Sequence, residues 1–249
     1  MKTLHLLLLL MLSLLTTSCL SLALKVLDID NPDAEVIIMA NKDKTVAFVP
    51  MKHIGPKEFY EDVKKIVDSL HAENYIVFLE STRIIDSLSK EQKDTISLKM
   101  RKMMGVYLSK KGYLDTINGR LMGRKFNNKK MKLVNQPKYS IMGSDSLTDR
   151  IVDVPMNRIV SAYETKYGVL ELNPCDYTTA PEEKYECDKE PKKQVDEMIM
   201  GLRNKNLSDA ILAEPRKKIA VLYGARHRTG VLKNLRQSDS TWVIKPKGQ

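Results

Sequence analysis

Two histidines and one glutamate occupy equivalent places in this chain, each close behind an apolar run. These residues are His53, Glu80 and His227, and the runs before them span residues 46–50, 75–79 and 217–223. Runs of this length and composition are typical of buried strands. Imidazole and carboxylate groups transfer protons or bind divalent metal ions, so three of them at one place would form a reactive centre.

An amphipathic helix between the first two runs indicates how these side chains would meet. Apolar residues recur at helical spacing from Phe59 to Leu70. Strand, helix and strand over about thirty-five residues predict a βαβ unit with parallel strands and a right-handed crossover. The carboxyl ends of parallel strands share one sheet edge, where open α/β sheets bind ligands. We therefore expect His53, Glu80 and His227 at one rim.

The remaining pattern predicts an α/β fold with a central mixed, largely parallel sheet, flanking helices and one helical insertion. Residues 36–40 should form a hairpin with the strand that begins at Thr45, and residues 241–245 should form a terminal strand. Residues 137–155 are rich in turn formers. Further elements are expected as helices at 156–167, 192–203 and 206–212 and as a short strand at 169–172.

Residues 90–132 are predicted to be a helical, basic insertion over the sheet edge. A helix should continue past Gly105 to Gly112, with a stripe of core-facing residues: Ile96, Met100, Met103, Met104, Tyr107 and Leu108. A second short helix is expected at 114–122. Eleven Lys and Arg residues and a single acid, Asp115, lie between Lys99 and Lys132. Such a face suits an anionic membrane, a glycan or an acidic peptide, or it is simply a solvated surface.

The first residues have the character of an export signal. Lys2 precedes an apolar stretch from Leu4 to Leu15, and small polar residues then lead to Cys19. This resembles a bacterial lipobox, in which Cys19 would be acylated; an ordinary signal peptide cut nearby is the alternative. We expect a signal peptide at 1–18, a lipid-anchor tether at 19–35 and a single domain at 36–249. The protein would then be a membrane-anchored lipoprotein of the cell envelope, or alternatively a secreted protein.

Export also changes how the other two cysteines are interpreted. Cys175 and Cys187 form an even pair in a polar loop that contains proline. In an oxidising compartment such a pair predicts a local disulfide. Metal binding by the two cysteines is the minor alternative.

At these positions the chain resembles the TraB/PrgY/GumN/Tiki family, which is related in fold to the erythromycin-esterase and ChaN-like proteins. Members carry a Gly-x-x-His after a first core strand, a glutamate after the next strand and a second Gly-x-x-His near the carboxyl terminus. Here Gly224-Ala-Arg-His227 opens a helix, and Leu202-Arg-Asn204 resembles the segment that usually precedes it. The resemblance runs from residue 36 to the end and is loose in the middle third. Pro50 replaces the first motif's glycine, and proline fixes φ.

The resemblance implies an exported metal-dependent hydrolase that cleaves peptide bonds, with a peptide or protein as its substrate. His53, Glu80 and His227 would then bind one divalent ion (Mn, Co, Fe or Zn) that activates water. A metal-free alternative uses one histidine as general base and Glu80 as its orienting group. Arg83 and Arg203 are expected to hold the carboxylate or a developing oxyanion.

A competing interpretation is a binding protein that has the same fold but no catalytic activity. The resemblance extends to a PrgY branch implicated in blocking peptide signals and to a ChaN-like relative that binds haem iron. The alternative is therefore a catalytically inactive peptide- or haem-binding envelope lipoprotein, which Pro50 favours and the intact histidine and glutamate set opposes. Asp145 is a weaker extra acid, and His71 is expected at the surface. Few aromatic residues in an exported chain argue against nucleic acid as a partner.

Overall fold

A computed structural model describes residues 20–105, 112–181 and 183–246 of the chain. The strands are β1 (Ile37–Ala40), β2 (Thr45–Met51), β3 (Ile54–Gly55), β4 (Ile76–Leu79), β5 (Leu114–Asp115), β6 (Arg120–Leu121), β7 (Arg124–Lys125), β8 (Val134–Asn135), β9 (Arg150–Ile151), β10 (Lys218–Gly224) and β11 (Val243–Ile244). The helices are α1 (20–26), α2 (Lys57–Ala72), α3 (Lys90–Met104), α4 (Met156–Tyr167), α5 (Pro174–Thr178), α6 (Lys192–Asp196), α7 (Arg203–Ala213) and α8 (His227–Ser238). A 3-10 turn covers Tyr139–Met142, and a π-helical segment, Glu197–Leu202, joins α6 to α7.

The central sheet has six strands in the order β11-β1-β2-β10-β4-β9. Strand β10 pairs in parallel with both β2 and β4, and β4 pairs in parallel with β9. Strand β1 is antiparallel to β2, which confirms the predicted hairpin, and to the terminal strand β11. The predicted α/β fold with a mixed, largely parallel sheet is therefore confirmed. The two strands of the βαβ unit are not neighbours, because β10 lies between them.

Both faces of the sheet are buried, which explains why its central strands are almost continuously apolar. On one face, alternate residues of β10 (Ile219, Val221 and Tyr223) pack with α7 and α8. On the other face, Ala220 and Leu222 pack with α2. Helix α2 contributes a single stripe at helical spacing to that second core: Phe59, Val63, Val67 and Leu70. The two cores hold β2, β10 and β4 rigidly side by side.

The insertion is helical only in its first half. Helix α3 begins with a capping box at Ser89 and ends at Met104, because Gly105 adopts a left-handed φ of +60° and its N–H bonds the Arg101 carbonyl. Met100 and Met103 are buried as predicted. The expected continuation, with Tyr107 and Leu108, lies outside the described residues.

The second helix predicted at 114–122 is wrong. These residues belong to β5 and β6, which form a small antiparallel sheet with β7. Leu114, Ile117 and Leu121 have a spacing that mimics a helix, but the Asp115 carboxylate accepts hydrogen bonds from the Ile117 and Asn118 amides. These side-chain hydrogen bonds stabilise a turn instead of a helix.

Three other parts of the predicted element pattern differ from the structure. Residues 169–172 form no strand; Leu170 is buried, and its N–H bonds the Glu164 carboxylate. The helices expected at 192–203 and 206–212 are one run, since the π-helical segment connects α6 directly to α7. Strand β9 adds a short parallel strand within the turn-rich stretch. The helix at 156–167 is confirmed, and Gly168 follows it.

The disulfide predicted between Cys175 and Cys187 is present. The loop that it closes is also held against α3, because the Arg101 guanidinium donates to the carbonyls of Thr179, Ala180 and Glu183. Buried Lys102 and Tyr185 both bond the Asp176 carboxylate of α5. A covalent bond and a buried polar network therefore fix the same loop.

The predicted signal peptide and the Cys19 lipidation site lie outside the described residues. The expected lipid-anchor tether at 19–35 stays a prediction; within it, residues 20–26 form α1, and Leu24 of this helix is buried in a hydrophobic cluster. No helix in the described part of the chain is both long and apolar enough to cross a membrane.

Candidate active site

Glu80 occupies the carboxyl edge of the parallel sheet, immediately after β4. Its backbone N–H bonds the Leu222 carbonyl of β10, which fixes the residue against the neighbouring strand. Its carboxylate accepts one hydrogen bond from the Gly224 N–H at Oε2 and one from Arg203 Nη2 at Oε1, both 2.5 Å long. A Cβ added at Gly224 would lie 3.4 Å from Glu80 Oε2. Glu80 thereby links two strands and a helix.

Arg203, the first residue of α7, bridges two buried carboxylates. Its Nε and Nη2 donate to the two oxygens of Asp153, each over 2.9 Å, and Nη2 also donates to Glu80. The exposed fractions of the three side chains are 8% for Arg203, 0% for Asp153 and 9% for Glu80. One cation thus neutralises only one of two carboxylates, so the group keeps a net negative charge.

The ion pair between Glu80 and Arg203 lowers the pKa of Glu80 and raises the pKa of Arg203. Burial would raise the pKa of the Glu80 carboxyl, but the Arg203 charge and the Gly224 N–H together hold it below its ordinary value. Burial would lower the pKa of Arg203, and the hydrogen bond and charge of Asp153, with the Glu80 charge, raise it instead. Both groups are therefore ionised at neutral pH.

His227, the first residue of α8, is a neutral imidazole aimed at Glu80. Its Nδ1 lies 2.7 Å from Asn204 Oδ1, and a carbonyl oxygen only accepts, so Nδ1 carries the proton. Burial first, and the Arg203 charge second, lower the pKa of His227 to about 4. Nε2 therefore keeps its lone pair at neutral pH, 3.6 Å from Glu80 Oε1. A water molecule could donate to both atoms across that gap.

Asn204 holds the His227 ring only because α8 has a glycine opposite it. A Cβ added at Gly230 would lie 2.0 Å from Asn204 Nδ2 and 2.8 Å from its Cγ. Asn204 is itself 7% exposed, so it has little room to move. The spacing of α7 and α8 at this point is set by that contact.

Gly230→Ala is expected to lower the free energy of unfolding by about 1–3 kcal/mol, as overpacking of a filled interior does. Gly201→Ala is the matched control, since its Cβ would meet only Glu197 Cγ at an ordinary 3.7 Å. Urea unfolding followed by circular dichroism measures both. Equal stability of the two variants would show that Asn204 moves away freely.

Two tyrosines enclose the centre. Tyr223 is fully buried, bonds the Val152 carbonyl and meets the His227 ring edge-to-face, with the ring centroids 5.2 Å apart. The Tyr139 hydroxyl donates to the Glu80 carbonyl over 2.8 Å. Burial raises the pKa of both phenols, so they stay protonated as donors. They fix the backbone on either side of the reacting groups.

His53 does not join Glu80 and His227. It is exposed in the turn between β2 and β3, where its ring stacks on Tyr113 with the centroids 5.1 Å apart. Burial, and then the Glu80 charge, raise the pKa of Tyr113, so this tyrosine lies within electrostatic range of the centre. His53 therefore marks the outer rim.

Three other predicted residues lie elsewhere. Arg83 is exposed and its Nε donates to Ser81 Oγ over 3.2 Å. Asp145 is exposed and accepts from the Leu147 amide and the Thr148 hydroxyl. His71, expected at the surface, is partly exposed, and its Nε2 lies 3.0 Å from the buried Asp149 carboxylate.

The side chains present do not assemble the predicted metal site. Within the described ranges, no group of three His, Cys, Asp or Glu side chains is placed to hold an ion. Glu80 and His227 offer two donor atoms, but Arg203 bonds the same Glu80 oxygen that faces His227. A divalent ion does not fit this arrangement, and metal dependence stays a prediction.

Sequence reasoning missed two members of the centre. Asp153 lies in the turn-rich stretch beside other acids, and nothing in the sequence distinguishes it from them. Strand β9 positions it next to Arg203. Asn204 stood beside Arg203 in the segment that carries the family resemblance, but its role depends on the contact with α8. The π-helical segment ends immediately before Arg203 and Asn204, and such segments often lie at functional sites.

Comparisons with protein-family models, with curated proteins and with solved structures found no match to this chain. The resemblance to the TraB/PrgY/GumN/Tiki family therefore stays a prediction that rests on the motifs alone.

Proposed function

We propose that this protein is an exported hydrolase whose reactive centre consists of Glu80, Arg203, Asp153 and His227. The observation that carries the proposal is the neutral His227 Nε2 placed 3.6 Å from an ionised, buried Glu80 at the carboxyl edge of parallel strands. Buried ion groups beside a histidine with a strongly shifted pKa cluster at functional sites. Carboxyl edges of parallel strands are where α/β proteins bind ligands.

The proposed reaction is the addition of water to a carbonyl group. Water donates to His227 Nε2 and Glu80 Oε1, and Nε2 takes the proton as the oxygen adds to the carbonyl carbon. Asn204 keeps the other ring nitrogen protonated, so Nε2 is the nitrogen that accepts. The Arg203 cation lies beside the centre where negative charge develops on the carbonyl oxygen. The same proton then passes to the leaving amine.

The substrate class comes from the family resemblance, which implies a peptide or protein. The metal-dependent form of this hydrolase, with His53, Glu80 and His227 around Mn, Co, Fe or Zn, is the version that the resemblance implies. The metal-free form needs no movement of His53 and is the one that the present geometry supports.

The proposed location is the cell envelope. The disulfide between Cys175 and Cys187 supports an oxidising compartment. The apolar stretch from Leu4 to Leu15, followed by Cys19, supports export and membrane attachment through a lipid, with secretion as the alternative.

Glu80→Gln is the variant that tests the proposed function. Glutamine keeps the shape but loses the charge beside His227, so cleavage of a peptide mixture, read by mass spectrometry, should fall at least about 100-fold. Glu61→Gln is the control, because this exposed glutamate pairs with Lys57 on the surface of α2. Equal cleavage by Glu80→Gln and wild type would contradict the proposal.

Elemental mass spectrometry decides between the two forms of the hydrolase. Near-stoichiometric metal in the wild type, lost in both His53→Ala and His227→Ala, would replace the metal-free mechanism with the metallopeptidase. Activity with no bound metal, unchanged in His53→Ala, supports the metal-free form.

A second candidate function is a catalytically inactive peptide- or haem-binding lipoprotein. The burial of the centre favours it, since His227 is only 4% exposed, while His53 stands open on the rim. The same peptide mixture separates the two functions: intact peptides retained by the protein would support binding, and products would support hydrolysis.

A further inference from the structure

A small hydrophobic cluster joins α1 to the sheet formed by β5, β6 and β7. Its buried members come from α1, from β3 and from the stretch that follows α3: Leu24, Ile54, Leu114, Leu121, Phe126, Met131 and Leu133. We call residues 20–27 and 112–133 together the basic platform. The platform is fixed to the domain by the pairing of β3 with β8 and by Lys52, whose Nζ bonds the Asp28 and Asn31 carbonyls.

Large apolar side chains are exposed on both parts of this platform. Five of the thirteen exposed large hydrophobic residues in the described chain lie here: Leu22, Val26, Leu27, Ile117 and Met122. Ile117 is 84% exposed and Val26 79% exposed. Because the buried cluster holds α1 and the small sheet together, these exposed apolar residues belong to one packed unit, and exposed apolar residues in number are typical of an interaction surface.

The same platform carries cations that are free of acidic partners. Its exposed basic residues are Lys25, Arg120, Arg124, Lys125, Lys129, Lys130 and Lys132. Within the described ranges none of these residues forms an ion pair, although exposed lysines elsewhere, such as Lys57 and Lys205, pair with acids on their own helices. A pocket of about 560 Å³ opens between Lys129, Lys132 and Thr116. Positive charge and room for a headgroup thus coincide, and the pocket is also lined by the apolar side chains of Leu114 and Phe126 and by Asp115.

The course of the chain brings this platform next to any membrane attachment. Residue 20 opens the platform, and it directly follows Cys19 and the apolar stretch from Leu4 to Leu15. Whether that stretch or a lipid on Cys19 holds the chain, no spacer separates the attachment from the platform.

We propose that the basic platform lies against the surface of an anionic lipid bilayer, with its exposed apolar side chains at the headgroup level. A single acyl chain binds a membrane only marginally, and a polybasic patch is the usual second signal. Each Lys or Arg near an anionic surface contributes about 1 kcal/mol. This contact rests on the proposed membrane attachment and is independent of the proposed hydrolase.

Amide hydrogen exchange on the full-length chain tests this contact. The chain is reconstituted through its own amino-terminal stretch into vesicles of phosphatidylcholine alone or mixed with phosphatidylglycerol. With phosphatidylglycerol, exchange in peptides that cover the platform should be at least about threefold slower, while α2 stays unchanged. Equal exchange in the two kinds of vesicle would overturn the proposal.

Two charge-reversal variants separate a docked face from general attraction. Arg124→Glu with Lys125→Glu should abolish the slower exchange. Lys57→Glu with Lys205→Glu makes the same change in net charge away from the platform and should preserve it. Ile117→Ser leaves every charge in place and should weaken the protection. Loss of protection in the Lys57 and Lys205 variant as well would show that only net charge acts, and would overturn the proposal.

Discussion

Arg203→Leu is expected to lower the free energy of unfolding by about 3–5 kcal/mol, the usual effect of removing one partner from a buried ion pair. Without Arg203, the carboxylates of Glu80 and Asp153 would face each other in the interior without a counter-ion. Their mutual repulsion and lost hydrogen bonds both act against the fold. Urea unfolding at neutral pH measures the change.

Lys205→Leu provides a matched control two positions along the same helix. Lys205 pairs with Asp209, but its side chain is 69% exposed, so the loss should be no more than about 1 kcal/mol. Adding Asp153→Leu to Arg203→Leu should restore part of the stability, because one uncompensated carboxylate disappears. Similar stabilities for Arg203→Leu and Lys205→Leu would mean that water reaches the carboxylates.

The stability of the wild-type protein should fall by about 2 kcal/mol between about pH 7 and pH 5, through His227 alone. The pKa of His227 is lowered from 6.5 to about 4 in the folded state, so the unfolded chain binds its proton first. The stabilisation that comes from neutral, buried His227 is complete above pH 6.5, and it is lost as the pH falls from 6.5 toward 4. By pH 4 the loss should reach about 3 kcal/mol, at about 1.4 kcal/mol for each tenfold change in proton affinity.

His227→Gln removes this titration, so its stability should vary less over the same pH range. Glu80 also has a lowered pKa, and its contribution is lost only as the pH falls further, below 4.5, which separates the two effects. Chemical unfolding at a series of pH values gives both curves. If wild type and His227→Gln had parallel curves between pH 7 and pH 5, folding would leave the pKa of His227 unchanged, and the lowered pKa would be ruled out.

The sequence predicts those parts of the centre that lie directly at strand ends. Glu80 follows β4 at once, and Gly224 ends β10, so hydrophobic pattern alone places both. His227 begins α8 three residues later, close enough for the same reasoning to hold. Local periodicity fixes these positions, because the strands are buried on both faces and their register cannot slip.

The residues that the sequence misplaces depend on contacts between distant segments. His53 follows β2 by two residues, but the turn into β3 is set by pairing with β8, about eighty residues away. Its ring therefore turns toward Tyr113 rather than toward Glu80. Asp153 joins the centre through its contact with Arg203, and Asn204 through its contact with Gly230. Both contacts join segments that are distant in sequence, so spacing along the chain does not predict them.

The position of β10 has a consequence for the order of folding. This central strand pairs with both β2 and β4, yet it follows β4 by about 140 residues. A chain made from its amino terminus therefore presents β2 and β4 with unpaired edges until residue 224 is available, and such edges attract other chains. Closing so long a loop is also slow. We therefore expect the sheet and the ion group to form together in a late folding step, and aggregation to be greatest just before it.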